Sequence, residues 1–168
     1  SSLGYGADGP ALSGQQAIEA VQPLPPDLVL IETELTGQPD AFQTGTQLLK
    51  RGLPVVFIAE SSDPALLEKV QSVSPFGFLH RPFEKSDLKI ALEIALFRHQ
   101  YETRLEQSRR WFTTALDAMT DGLITTDRQG IINFFNRAAE RLTRWTRTDA
   151  VGRPLADICR VADPETRR

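Results

Sequence analysis

Short apolar runs alternate with amphipathic stretches over the first half of the chain. Leu28–Ile31, Val55–Ile58 and Phe76–Leu79 are brief, continuous and rich in β-branched or aromatic residues, the pattern of strands buried on both faces of a parallel sheet. Between them the spacing predicts helices over Ser13–Val21 with Ser13 as N-cap, over about Phe42–Lys50 closed by Gly52, and over Asp63–Val73 with Asp63 as cap and Pro64 in the first turn. This alternation is the signature of right-handed βαβ units, so an α/β fold is expected here.

Pro82 ends the third run, and Ser86 is the expected cap of a long helix reaching Met119. Ile94, Phe97, Tyr101, Leu105, Ser108, Phe112, Leu116 and Met119 recur at spacings of three and four, which lays them along one stripe. A helix of roughly 33 residues is about 50 Å long, more than a small domain needs to cover its sheet. The expectation is a connector that also pairs. A body before the helix is expected to cover the stripe near Ile94 and a body after it the part near Leu116, leaving Tyr101–Ser108 for a second copy of the chain, with a helix folded back on its own domains as the alternative. Beyond Met119, Gly122–Asp127 and Ile131–Phe135 read as a hairpin around the turn Arg128–Gly130, followed by a short helix capped by Asn136 and then by loops. The division implied is residues 1–85, a helix over 86–119, and residues 120–168.

Composition narrows the classes. The 168 residues are 40% hydrophobic with a net charge of −3, which fits a soluble globular chain and disfavours nucleic acid as a partner. The Arg-rich end (Arg141, Arg144, Arg147, Arg153, Arg160, Arg167 and Arg168) is expected to be a solvated face. A single cysteine, Cys159, excludes an internal disulfide and any cysteine-built metal site within one chain, pointing to a reducing, cytoplasmic setting. No apolar run reaches the ~20 residues that span a bilayer, and the opening residues carry no signal-peptide pattern. No membrane partner and no cofactor are expected.

The stretches PDLVLIETELTG (Pro26–Gly37), PVVFIAESSD (Pro54–Asp63) and GFLHRPF (Gly77–Phe83) resemble, in order and spacing, the third to fifth strand segments of response-regulator receiver domains. The resemblance covers about Leu3–Gln100 and implies an incomplete doubly wound, flavodoxin-like parallel sheet whose first strand and most of whose first helix precede Ser1. Receiver chemistry needs an acceptor aspartate, acids for Mg²⁺, a Ser/Thr hydroxyl and a lysine. By position these fall on Glu32, Ala59 and Arg81, and the acidic pair has no counterpart; the switch-like aromatic falls on Phe78. Loss of phosphoryl transfer and of any need for metal is implied. Two arrangements stay open for Glu32 and Arg81: an internal ion pair, or two solvated groups. His80, alone at a strand end, and His99, expected to face solvent on the long helix, carry no chemistry in this reading.

DGLITTDRQGIINFFNRAAERLTRW and VGRPLADI resemble the opening half of a PAS domain, a partial α+β fold. In it Asn136 caps the helix, Ala138 and Ala139 allow close approach to the sheet, and Leu142 anchors the helix. Cys159–Arg160 resembles the pair found in flavin-binding photoreceptors but stands in a different sequence context, so a small buried cysteine is expected. Together the resemblances imply a non-enzymatic signal-transduction module of a two-component-type sensor or regulator: a phosphorylation-incompetent receiver, a dimerising helix (Ile94, Phe97, Tyr101, Leu105, Phe112) and a PAS sensor serving an output domain. A phosphorylatable receiver using Glu32, and a purely structural dimerisation scaffold, are the alternatives.

Overall fold

The computed structural model describes residues 4–22, 24–60 and 63–159. The chain falls into two compact units that divide between Arg104 and Leu105.

In the first unit, β1 (Val29–Glu32), β2 (Val55–Ala59) and β3 (Gly77–His80) form a parallel sheet in the order β1-β2-β3. The central strand β2 is buried at all five positions, which is why its sequence shows no polar alternation. Every strand runs one residue past its apolar run, to Glu32, Ala59 and His80, because the ladder follows backbone pairing and not side-chain polarity.

Helices α1 (Gly14–Ala20), α2 (Ala41–Lys50) and α3 (Pro64–Val73) begin at Ser13, Asp40 and Asp63, each accepting a hydrogen bond from a first-turn N–H. At Asp40 the Gln43 amide returns the bond and completes a capping box. Ile18, Leu48 and Val70 from these helices close over Ile31, Val55 and Phe57 of the sheet. Gly45 sets the approach of α2: a Cβ there would lie 2.6 Å from Phe57 Cζ, so only glycine lets the helix rest on that ring.

Helix α4 (Lys85–Ala118) is continuous over 34 residues. It starts one residue before the expected cap: the Asp87 carboxylate accepts the Glu84 N–H at 2.9 Å, and Ser86 lies within the first turn. Its buried residues are Leu92 and Ala95. The expected cover over Ile94 is therefore corrected. Ile94 belongs to a separate stripe with Ile90, Phe97, Tyr101 and Leu105, all of it more than half exposed.

In the second unit, β4 (Ile124–Thr126) and β5 (Ile132–Phe135) pair antiparallel, with a register slip between Thr125 and Thr126 that leaves Asn133 as the extra residue. Asp127 accepts the N–H groups of Gln129 and Ile131, and Gly130 takes the left-handed φ of +80° that closes the turn. Asn136 caps α5 (Arg137–Thr143). The expected terminal loops hold two more short helices, α6 (Arg147–Ala150), capped by Thr146, and α7 (Leu155–Ile158). Four-residue helices are too short to show a 3.6-residue period.

Ile132, Phe135, Ala139 and Ala150 form the core of this unit, with Trp145 packed against it. Ala138 and Ala139 are buried, whereas Leu142 is 72% exposed. Leu142 does not anchor α5. It lies beside Gly122, which has no side chain to cover it.

Candidate functional site at the strand ends

Three parallel strands put their last residues on one edge of the sheet, the edge where open α/β folds hold their sites. Glu32 ends β1, Ala59 ends β2, and Arg81 follows β3 with its N–H bonded to the Ala59 carbonyl at 2.8 Å. Arg81 Nη2 donates to Glu32 Oε1 at 2.5 Å. Between the two arrangements left open by sequence, the structure has the ion pair. Its side chains are 44% and 61% exposed, so it contributes in the range of surface pairs, about 0–1 kcal/mol.

Ala59 is buried and presents a methyl group where a hydroxyl would be needed to reach a ligand. Arg81 also lies over the Phe83 ring at 5.5 Å, and with Glu60, Pro82 and Phe83 it lines an open depression of about 360 Å³. Among the described residues no group of three or more His, Cys, Asp or Glu is placed to hold a metal ion.

Two carboxylates at this edge escaped the sequence reading. Glu34 accepts the Thr33 hydroxyl at 2.9 Å and the Glu60 N–H at 3.3 Å. Burial alone would raise its pKa, but these hydrogen bonds, its own N–H and the charge of Arg81 together hold it below the ordinary carboxylate value. The cation at this edge thus serves two acids. Neither Glu34 nor Glu60 carries a local sequence signal, because the first depends on a bond to a residue 26 positions away.

The remaining candidates are distributed elsewhere. Phe78 pairs in register with Phe57 and packs on the first core. His80 is exposed at the end of β3. His99, expected to face solvent, is half-buried edge-to-face against Phe76 at 5.4 Å, because the face of α4 that carries it is the one turned toward its own unit. Phe97, Tyr101, Leu105 and Phe112 are exposed on α4, and the sequence reading omitted Ile90 at one end and Trp111 beside Phe112 at the other.

Arg147 is a further correction to the solvated-face reading of the Arg-rich end. It is ion-paired to Asp117 and stacked on Phe134, while Arg153 lies over Trp145. Cys159 is partly exposed at the end of α7; Arg160, Arg167 and Arg168 lie outside the described residues.

Comparison with known proteins agrees with this geometry. Over 129 residues the chain is 31% identical to the transcriptional regulatory protein PdtaR of Mycobacterium tuberculosis, a match covering 73% of this chain and 62% of that protein. The signal receiver domain of a modulated diguanylate cyclase from Desulfovibrio desulfuricans G20 superposes with a TM-score of 0.56 at 31% identity, covering 60% of this chain and 81% of that domain. The N-terminal domain of a response regulator/sensory box/GGDEF 3-domain protein from Carboxydothermus hydrogenoformans superposes with a TM-score of 0.50 at 33% identity, covering 55% and 76%. The first unit is therefore a receiver of the two-component response-regulator type.

The PAS fold family model matches residues 110–167, so the second unit carries a PAS region. The chain thus carries a receiver-like unit followed by a PAS region. It spans about 62% of the length of the mycobacterial relatives it matches. Among the described residues no helix is long and apolar enough to cross a membrane.

Proposed function

We propose that the chain is a non-catalytic relay: a phosphorylation-incompetent receiver over residues 1–85, a dimerising helix over 86–119, and a PAS sensor region over 120–168. The observation that carries this reading is the ion pair between Glu32 and Arg81, with the methyl of Ala59 beside it. A carboxylate ion-paired with its own arginine, one methylene longer than aspartate and lacking a hydroxyl partner, is poorly placed for in-line attack on a phosphoryl donor. Misplacement by about 1 Å can lower a rate ~10²-fold. Arg81 also differs from lysine in presenting a planar fork already engaged with Glu32.

The test is amide NMR of the full chain with Mg²⁺ and beryllofluoride, a stable phosphoryl mimic. The reading expects resonances of Glu32, Ala59 and Arg81 to stay in place; saturable shifts at all three, absent with Mg²⁺ alone, would favour the alternative of Glu32 as acceptor.

Homodimerisation through α4 is the second element of the proposal. Ile90, Ile94, Phe97, Tyr101 and Leu105 form an exposed apolar stripe of a kind that soluble monomers rarely leave open. A parallel pairing of two copies covers it and keeps equivalent units side by side. If the helix instead serves only as a scaffold, dimerisation persists but nothing passes along it. A cytoplasmic setting, an output domain as partner and the absence of a nucleic-acid role belong to the same proposal. The mycobacterial relative is named as a transcriptional regulator, but this chain's net charge of −3 offers no basic surplus for DNA.

A further inference from the structure

The last turn of α4 is gripped by residues that follow it. Asp117 is an acid at a helix C-terminus, where the helix dipole disfavours negative charge, and the last turn holds no basic residue to offset it. The compensation comes from elsewhere in the second unit. Asp117 Oδ1 accepts Arg147 Nη2 at 2.5 Å and the Arg137 N–H at 3.1 Å, so one carboxylate closes α4 and satisfies the first N–H of α5.

Arg147 is itself fixed from three sides. Its Nε donates to the Phe135 carbonyl at the end of β5 at 2.6 Å, its guanidinium lies 5.4 Å from the Phe134 ring centroid, and its N–H donates to Glu140 Oε1 at 2.7 Å. Asn136 completes the grip. Fully buried, it donates to the carbonyls of Leu116 and Asp121 and accepts the N–H groups of Leu123 and Ala139, using all four of its bonding positions.

We propose that Asp117, Asn136 and Arg147 form the joint through which displacement of the long helix reaches the β4–β5 hairpin. The inference rests on the relay reading, but it concerns only how α4 is fastened to the second unit. A turn or slide of α4 pulls on a carboxylate and a carbonyl, Asp117 Oδ1 and Leu116 O, whose partners are Arg147 at the start of α6, itself bonded to the end of β5, and Asn136 and Arg137 at the start of α5. The grip joins residues up to 30 positions apart, so it binds three elements into one response instead of capping one helix.

The test is a double-mutant cycle read by amide hydrogen exchange on the full chain. Leu105→Gly loosens α4 upstream, at an exposed residue that touches none of the three. With the joint intact, it is expected to speed exchange at Leu116–Ala118 and also in the hairpin by about fivefold, the lower end of couplings between distinct sites. In the Arg147→Ala background the helix end still responds and the hairpin response is weakened, because only the Asn136 link to Leu116 remains. Equal hairpin responses in both backgrounds would overturn the joint.

If Arg147→Ala unfolds the second unit, Asp117→Asn replaces it. That variant keeps an acceptor oxygen but removes the charge, and it is expected to weaken the hairpin response; an unchanged response would equally count against the joint. The phosphoryl mimic and light scattering test the relay reading separately, so a monomer, or a receiver that binds the mimic, leaves the exchange cycle readable.

Discussion

Replacing Asn136 with alanine removes four hydrogen bonds at a site with no exposure to water. Loss of the N-cap bond to Ala139 alone costs about 1 kcal/mol. The truncation also orphans the Leu123 N–H, and an unsatisfied buried donor costs about 1–3 kcal/mol. The carbonyls of Leu116 and Asp121 lose their donor but lie near a surface where water replaces it in part. A total of about 3 kcal/mol follows, since neighbouring losses are not additive.

Both tryptophans of the chain, Trp111 and Trp145, lie in the second unit, so their fluorescence during urea unfolding reports that unit alone. With a slope of about 1 kcal/mol/M for so small a unit, the midpoint should fall by ~3 M or the folded baseline should vanish. A midpoint shift under about 1 M for Asn136→Ala, or an equal loss of protection across β1-β2-β3, would refute the reasoning.

Other consequences follow from single contacts. Gly45→Ala drives a methyl group into the Phe57 ring and should destabilise the first unit by about 1–3 kcal/mol, seen as faster exchange across β2 with the tryptophan transition unchanged. Because the folded-state pKa of Glu34 is lowered, its contribution is present above the ordinary carboxylate pKa and is lost as pH falls through the lowered value; Glu34→Gln should flatten the acid limb of first-unit stability measured by exchange. Tyr101→Glu with Leu105→Glu should convert the proposed dimer to monomer in light scattering while the receiver stays folded, and an unchanged dimer would place the interface elsewhere.

The strands and most caps of both units are legible in sequence because their causes are local. A run such as Val55–Ile58 or a serine three residues before a free N–H acts within one turn or one strand. The stacking of Glu32, Ala59 and Arg81 along one edge is legible for a similar reason, since parallel strands place their ends together. The face that α4 buries is not. Apolar residues fill two stripes, one through Leu92 and Ala95 and one through Ile94 and Phe97, and periodicity does not say which meets the sheet.

Asp117 and Arg147 are opaque for a different reason. Each reads as an ordinary surface charge, and only the fold brings the pair together across 30 positions. Asn136 is legible as a cap, yet the two carbonyls it also bonds lie 20 and 15 residues earlier in the chain.

The central claim is that the receiver no longer takes up phosphate, and intact-mass spectrometry after incubation with acetyl phosphate and Mg²⁺ tests it most directly. The ion pair of Glu32 with Arg81 and the methyl of Ala59 predict an unmodified mass at times that fully label an ordinary receiver run alongside. A stoichiometric phosphoryl adduct that disappears in Glu32→Gln would contradict the account.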